Sequence, residues 1–363
     1  YLVCQLPMGF LADRLNIRIF LGSGLVVWSC AQIAFGLMHN ITGLFVCRIL
    51  LGFGEAPLFL AGTRALMHWF SSDERGGPVG LFNSSAALGP AIAPPLLLMI
   101  MTFQGWRGMS VVVGALSLIL AIVWFVYYRD PSDVYPSEAE ARALQEGTPL
   151  RQMHSSSIRE DLGVLLSQGI TWAAAAGFAG VVYVTWLYGS WLPVWLEQSQ
   201  RLSVVTAGLL SALPQFCGFA GSLIGGLMCD FLVRRGFTPL GACRFPLVLS
   251  MLAASLATIL TATGGGLFFN LTMMAIALFS GGIATTCGWM IGTVITTEQR
   301  IGTFEAIQNT GASIGGALAP AVTGLVLQAW HSFVPAAIIA GFIGIMSATI
   351  YYFGLSPSNA KVD

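Results

Sequence analysis

The chain has 363 residues, of which 9% are charged and 56% hydrophobic, with a mean hydropathy of +0.78 and a formal net charge of zero. A soluble domain carries about 25% charged residues, so the composition excludes that class and indicates a polytopic membrane protein. Zero net charge leaves no electrostatic footprint for nucleic acid, and none is expected as a partner.

Tyr1 to about Leu11 reads as the tail of an apolar span. The sequence opens inside that run without a methionine, and we expect a fragment that lacks its beginning. A short charged turn follows, Gly9-Phe-Leu-Ala-Asp13-Arg14-Leu-Asn-Ile-Arg18. Spans are predicted near 19–38, 43–65, 79–101 and 106–127, each close to the ~20 residues a hydrocarbon core requires. Residues 128–168 carry many charges and read as a solvated linker with room for a short amphipathic helix. Six further spans are predicted near 169–196, 207–231, 245–262, 267–293, 304–327 and 334–355, followed by a polar tail. The seven cysteines are scattered through the apolar runs without CxxC spacing, which predicts neither a metal site nor a disulfide framework. No cofactor is expected. The four histidines fall in loops or at span ends, so no catalytic constellation is expected at membrane depth.

Basic residues set the orientation. Alternate loops and span ends hold Arg14, Arg18, Arg64, Arg75, Arg129, Arg142, Arg151, Arg159, Arg234, Arg235, Arg244, Arg300 and Lys361, and the others hold Arg107 and Arg201. The first set is therefore expected in the cytoplasm, with the linker and the C-terminus.

The two halves of the sequence repeat. At an offset of 225, Arg75 aligns with Arg300, Gly77 with Gly302, Asn83 with Gln308 and Pro95 with Pro320. At an offset of 217, Gly9 to Asp13 aligns with Gly226 to Asp230, and basic residues follow each copy. Parallel repeats joined by a long cytoplasmic linker are the pattern of a rocking transporter. The expected bundles are residues 1–127 and 169–355, with the linker at 128–168 and a cytoplasmic tail at 356–363.

The stretch that carries most chemistry is Arg48-Ile-Leu-Leu-Gly-Phe-Gly-Glu55, inside the apolar run 43–65. Each intramembrane charge costs roughly 2–4 kcal/mol on insertion scales and marks a functional site by default. Seven residues make two helical turns, so Arg48, Gly52 and Glu55 share a face. Arginine suits a carboxylate because its planar fork gives two parallel hydrogen bonds. Glu55, the only acid read as deep in a span, is the candidate proton carrier: loaded outside, it releases Arg48 to the substrate. The alternative is a structural ion pair between helices. Neutral candidates for substrate hydroxyls are Asn83, Ser84, Gln215, Asn270, Gln308 and Asn309, with interhelical hydrogen bonding as their alternative. Tyr183, Tyr188, Trp186 and Trp191 are candidate walls or gates of the pocket.

These motifs resemble the major facilitator superfamily. Gly9-Phe-Leu-Ala-Asp13-Arg14-Leu-Asn-Ile-Arg18 resembles its loop signature between the second and third helices, and Gly226 to Arg235 resembles the second-half copy. The resemblance implies an all-α fold of twelve helices in two bundles of six, the first helix and part of the second lying outside this sequence. Within the superfamily, Tyr1-x-x-x-Gln5-Leu-Pro7, Arg48-x-x-x-Gly52-x-x-Glu55-Ala-Pro57, Trp186-Leu with Pro193, and Gln308-Asn309 with Leu318-Ala-Pro320 resemble the anion:cation symporter family, which carries galactonate, hexuronates and other organic acids. That resemblance implies anion binding at Arg48, proton coupling at Glu55 and a substrate contact at Asn309, with Tyr1, Asn83, Ser84, Tyr183 and Gln308 as further candidates. A glutamine that binds sugar hydroxyls in galactonate carriers falls at Ala86, which leaves galactonate itself open. It also implies that Asp13 and Asp230, with Arg14, Arg18, Arg234 and Arg235, form a gate in which the aspartates bridge to arginines.

The expected function is proton-coupled symport of an organic anion, most plainly a sugar acid such as an aldonate or hexuronate, by a monomer in the bacterial inner membrane. The rival is an efflux antiporter of the same fold, since Gly89-Pro90-Ala-Ile-Ala-Pro94 partly resembles an antiporter motif. A transporter-like sensor lacks a visible output segment, and a membrane enzyme lacks a catalytic constellation.

Overall fold

The computed structural model describes residues 2–70, 74–130, 134, 158–297 and 300–355. Tyr1, most of the 128–168 linker and the 356–363 tail lie outside the described residues.

The described chain is helical throughout: α1 Gln5–Arg14, α2 Ile17–Leu37, α3 Ile41–Glu55, α4 Pro57–Trp69, α5 Gly76–Tyr127, α6 Ile158–Leu166, α7 Gly169–Gln200, α8 Val204–Arg234, α9 Pro239–Leu260, α10 Leu267–Ile295, α11 Ile301–Trp330 and α12 Val334–Gly354. Nine stretches among the described residues are long and apolar enough to cross a membrane. Polar residues punctuate them. Side chains of Asn16, Asn40, Ser203 and Thr238 accept the free amides that open α2, α3, α8 and α9. Gly105, at φ 65° and ψ 178°, breaks α5 between the predicted spans 79–101 and 106–127, a backbone conformation open to glycine alone. The predicted span 43–65 is two helices: Pro57 opens α4 directly after α3, because its ring nitrogen cannot donate to the carbonyl four residues back. The linker supplies one short described helix, α6, with Glu160 and Asp161 in its first turn.

Two compact units emerge. The first comprises residues 1–71, 95–164 and 296–306, and the second 72–94, 165–295 and 307–363. They do not follow the two halves of the sequence, because the start of α5 packs with the second half and the start of α11 with the first. The first unit's core joins Met8 and Ala12 of α1 to Ile17 and Phe20 of α2, Leu60 of α4 and Ala306 of α11. In the second unit α8 and α10 meet backbone to backbone. A Cβ on Gly221 would collide with the Phe279 carbonyl, and one on Gly225 would come within 2.9 Å of Ile283 Cα. Small residues at such spacing allow the close helix approach that membrane packing depends on.

That approach produces a cluster the linear spacing hides. Cys229, Cys243 and Cys287, from three different helices, are all buried, and Cys229 Sγ lies 3.4 Å from Cys287 Sγ.

Candidate functional site

Arg48 is exposed along α3, and its guanidinium lies 4.2 Å from the centre of the Phe35 ring of α2. Stacking on an aromatic face holds the planar cation while leaving its edge donors open. Glu55 is half-buried and ends α3, where Pro57 forces the helix to restart. Among the described residues no ion pair joins Arg48 to Glu55. Arg48 and Glu55 are therefore unpaired with each other in this structure. Gly52 is buried between them.

The neutral candidates belong to the second unit. Asn83 Nδ2 donates to the Val79 carbonyl at 3.0 Å and Ser84 Oγ to the Leu81 carbonyl at 2.6 Å, both within α5. Ser84 thus bonds within its own helix and not between helices, whereas buried Asn83 Oδ1 has no partner among the described residues. Gln308 Nε2 donates to Gly288 O of α10 at 3.0 Å, and its buried Oε1 has no partner among the described residues. Asn309 and Tyr183 are buried on α11 and α7. Tyr188 is a packing residue, donating to Thr258 Oγ1 at 3.0 Å and stacked on Trp195. Tyr1 lies outside the described residues.

The two loop motifs form a pair of helix caps. Asp13, at the end of α1, accepts from Gly302 N at 2.6 Å, Thr303 N at 2.8 Å and Thr303 Oγ1 at 2.6 Å at the start of α11. Asp230, at the end of α8, accepts from Gly76 N and Gly77 N, each at 2.8 Å, at the start of α5. The repeat that pairs Asp13 with Asp230 also pairs Gly302 with Gly77, so one cap is built twice. Each carboxylate fills the amide-rich, positive end of a long helix. The first glycine of each motif lets the helices touch. A Cβ on Gly9 would collide with Ala306, and one on Gly226 with the Gly76 carbonyl. The expected bridges from these aspartates to arginines are thus corrected, because the free amides of a helix start take the carboxylate.

The arginines act around the caps. Arg14 lies over Phe10 and pairs with Asp161 of α6 at 3.9 Å, and Arg300, ahead of α11, pairs with the same Asp161 at 3.0 Å. Arg18 donates to the Phe125 carbonyl. Arg234 and Arg235 are exposed, Arg235 over its neighbour Phe231. Arg64, read in the sequence as a span-end charge, is buried in α4 and donates to the carbonyls of Ala12 and Leu15, closing the end of α1. Beyond α5, burial and the Asp130 carboxylate push the Tyr128 phenol up, so it remains a donor to Asp130 Oδ1 at 3.2 Å.

Sequence reasoning missed Glu305. It lies on α11 just inside the predicted span 304–327, is completely buried, and neither carboxylate oxygen has a hydrogen-bond partner among the described residues. The signal was available as a second acid inside an apolar run.

Comparison with known proteins agrees with this architecture. The chain is 33% identical over 353 residues to the probable L-galactonate transporter of Escherichia coli (strain K12), covering 97% of this chain and 78% of that protein. It is 28% identical over 370 residues to the probable galactarate/D-glucarate transporter GarP of the same organism, covering 97% and 83%. In structure it resembles the E. coli fucose:proton symporter FucP with a TM-score of 0.72 at 16% identity, covering 97% of this chain and 87% of that one. The model of the Major Facilitator Superfamily matches residues 1–252. With its helices, its duplicated caps and these matches, the chain belongs to the Major Facilitator Superfamily and is a multi-pass membrane transporter, not an enzyme.

Proposed function

We propose that the protein is a proton-coupled symporter that takes up a sugar-acid anion, with Arg48 binding the carboxylate and Glu55 carrying the proton. The observation that carries the reading is Arg48 itself: a cation within an apolar span, over the Phe35 ring and without an acidic partner among the described residues. A neutralised arginine binds no anion, whereas a stacked one with open donors does. Glu55, two turns along at a helix break, supplies a carboxyl whose charge is tied to substrate binding. Asn83 and Gln308, each with a buried acceptor oxygen lacking a partner among the described residues, are the candidates for sugar hydroxyls, with Asn309 beside Gln308. The relatives named for L-galactonate and for galactarate and D-glucarate support this substrate class.

In this reading, residues 1–127 and 169–355 are the rocking bundles, the linker and C-terminus are cytoplasmic, and the protein works as a monomer. The Asp13 and Asp230 caps hold the cytoplasmic side shut while substrate and proton load from outside. Loss of the caps lets both leave. A bistable contact of this kind is what a switching transporter requires.

The test is uptake into proteoliposomes under an inward pH gradient, with labelled aldonates, aldarates, hexuronates, dicarboxylates and aromatic acids. Gradient-dependent accumulation of one sugar-acid class is expected. Glu55→Gln should keep substrate exchange and lose accumulation. A Gln variant that still concentrates substrate sinks the role of Glu55, and accumulation only with the gradient reversed replaces symport with efflux.

A further inference from the structure

Glu305 is an expensive residue with no visible structural work. Its side chain is 0% exposed, and neither Oε1 nor Oε2 meets a donor among the described residues. Burying an unpaired carboxylate costs far more than its packing returns. The repeat sharpens the point. The offset that pairs Gly77 with Gly302 pairs Glu305 with Gly80, and at Gly80 the chain carries no side chain at all. A Cβ there would come within 2.9 Å of the Ser222 carbonyl, so the second copy of the cap is built with bare backbone at this position. The cap therefore does not require an acid one turn into the helix, yet α11 has one.

Around the Asp13 cap the charged groups of the first unit have partners of their own, Arg18 of α2 donating to the Phe125 carbonyl. From α1 come Asp13, engaged by Gly302 and Thr303, and Arg14, paired with Asp161. From α4 come Arg64, turned to the carbonyls of Ala12 and Leu15, and His68, 4.0 Å from Asp130. Ahead of α11, Arg300 is held by Asp161 of α6. None of these groups is an ion-pair or hydrogen-bond partner of Glu305. A buried carboxyl without a partner among the described residues is costly as an anion.

We propose that Glu305 is a second proton-carrying site of the transporter, loaded while the Asp13 cap joins α1 to α11 and discharged to the cytoplasm when that cap opens. The inference rests on the symport reading and deepens it. Glu305 lies two residues from Thr303, whose amide and hydroxyl both hold Asp13. Opening the cap therefore exposes the carboxyl to water, where it ionises, and closing the cap requires that it be protonated again. The cap and the proton are thus coupled through one turn of helix.

Two measurements test this on the full chain. The first is infrared spectroscopy of the reconstituted protein at neutral pH. The carbonyl stretch of a protonated carboxylic acid should be present in the wild type and lose one group's intensity in Glu305→Gln. The second is the ratio of protons to substrate from reversal potentials in liposomes, using whichever acid of the uptake panel is transported. The ratio should fall by one in Glu305→Gln, with exchange retained, and recover in Glu305→Asp. An infrared spectrum unchanged by the Gln substitution overturns the proposal, as does an unchanged ratio. If the wild type shows no gradient-driven uptake, the symport reading fails by itself, and the infrared band still reports whether Glu305 holds a proton.

Discussion

The sharpest consequence of the duplicated cap is that its two copies are unequal, and the inequality is measurable. Asp13→Asn removes one carboxylate oxygen and the charge. The amide that replaces the oxygen faces either Gly302 N, 2.6 Å away, or the Thr303 amide and hydroxyl, 2.8 and 2.6 Å away. A hydrogen bond to a charged group is worth about 1.5–3 kcal/mol. One such bond is lost outright and the others fall to neutral strength, so the joined state of α1 and α11 should weaken by about 2–3 kcal/mol. At 1.4 kcal/mol per tenfold, the ratio of capped to uncapped molecules should fall roughly 30- to 150-fold. Asp230→Asn breaks a cap with two donors and should shift the ratio less. Spin labels at exposed Leu15 and Phe237, which follow the two motifs, report the change as a redistribution of their separation by double electron–electron resonance. Asp13→Asn should move a larger share of the population to a second distance than Asp230→Asn does. A distance distribution in Asp13→Asn that overlays the wild type would refute the claim that this carboxylate holds α1 to α11.

The remaining expectations follow from the same packing. Gly302→Ala places a Cβ 2.7 Å from both Asp13 Oδ1 and the Gly9 carbonyl, so it should reproduce the Asp13→Asn redistribution. Gly77→Ala at the repeat-related position meets Leu227 at an ordinary 3.6 Å and should leave the distribution unchanged, and equal behaviour of the two variants would count against the geometry. Arg64→Met leaves the carbonyls of Ala12 and Leu15 uncapped inside the first unit. It should cost about 3 kcal/mol, read as a clear fall in the melting temperature of the detergent-solubilised protein. A melting temperature matching the wild type would show that Arg64 does not anchor α1.

Much of the architecture was legible in the residues because bilayer burial imposes simple length and composition rules. Apolar runs near 20 residues mark most of the helices without knowledge of any neighbour. The Arg48–Glu55 stretch stood out because charge inside such a run has few explanations. The repeat offsets linked Asp13 with Asp230 and Gly77 with Gly302 before any contact was known. Those signals are local or periodic, and a single chain displays them.

What the sequence could not display is who meets whom. Asp13 and its donor amides are separated by 289 and 290 positions, and a backbone amide leaves no mark in a sequence, so the arginines were the natural but wrong choice of partner. The freedom of Arg48 from Glu55, the inward turn of Arg64, the convergence of Cys229, Cys243 and Cys287, and the isolation of Glu305 have the same origin. Each depends on which groups the folded chain brings within reach of one another. The sequence by itself determined the helices, the duplication and the charges they carry; only the tertiary structure decided which of those charges are paired, capped or left alone, because pairing depends on distances that hydropathy and spacing do not encode.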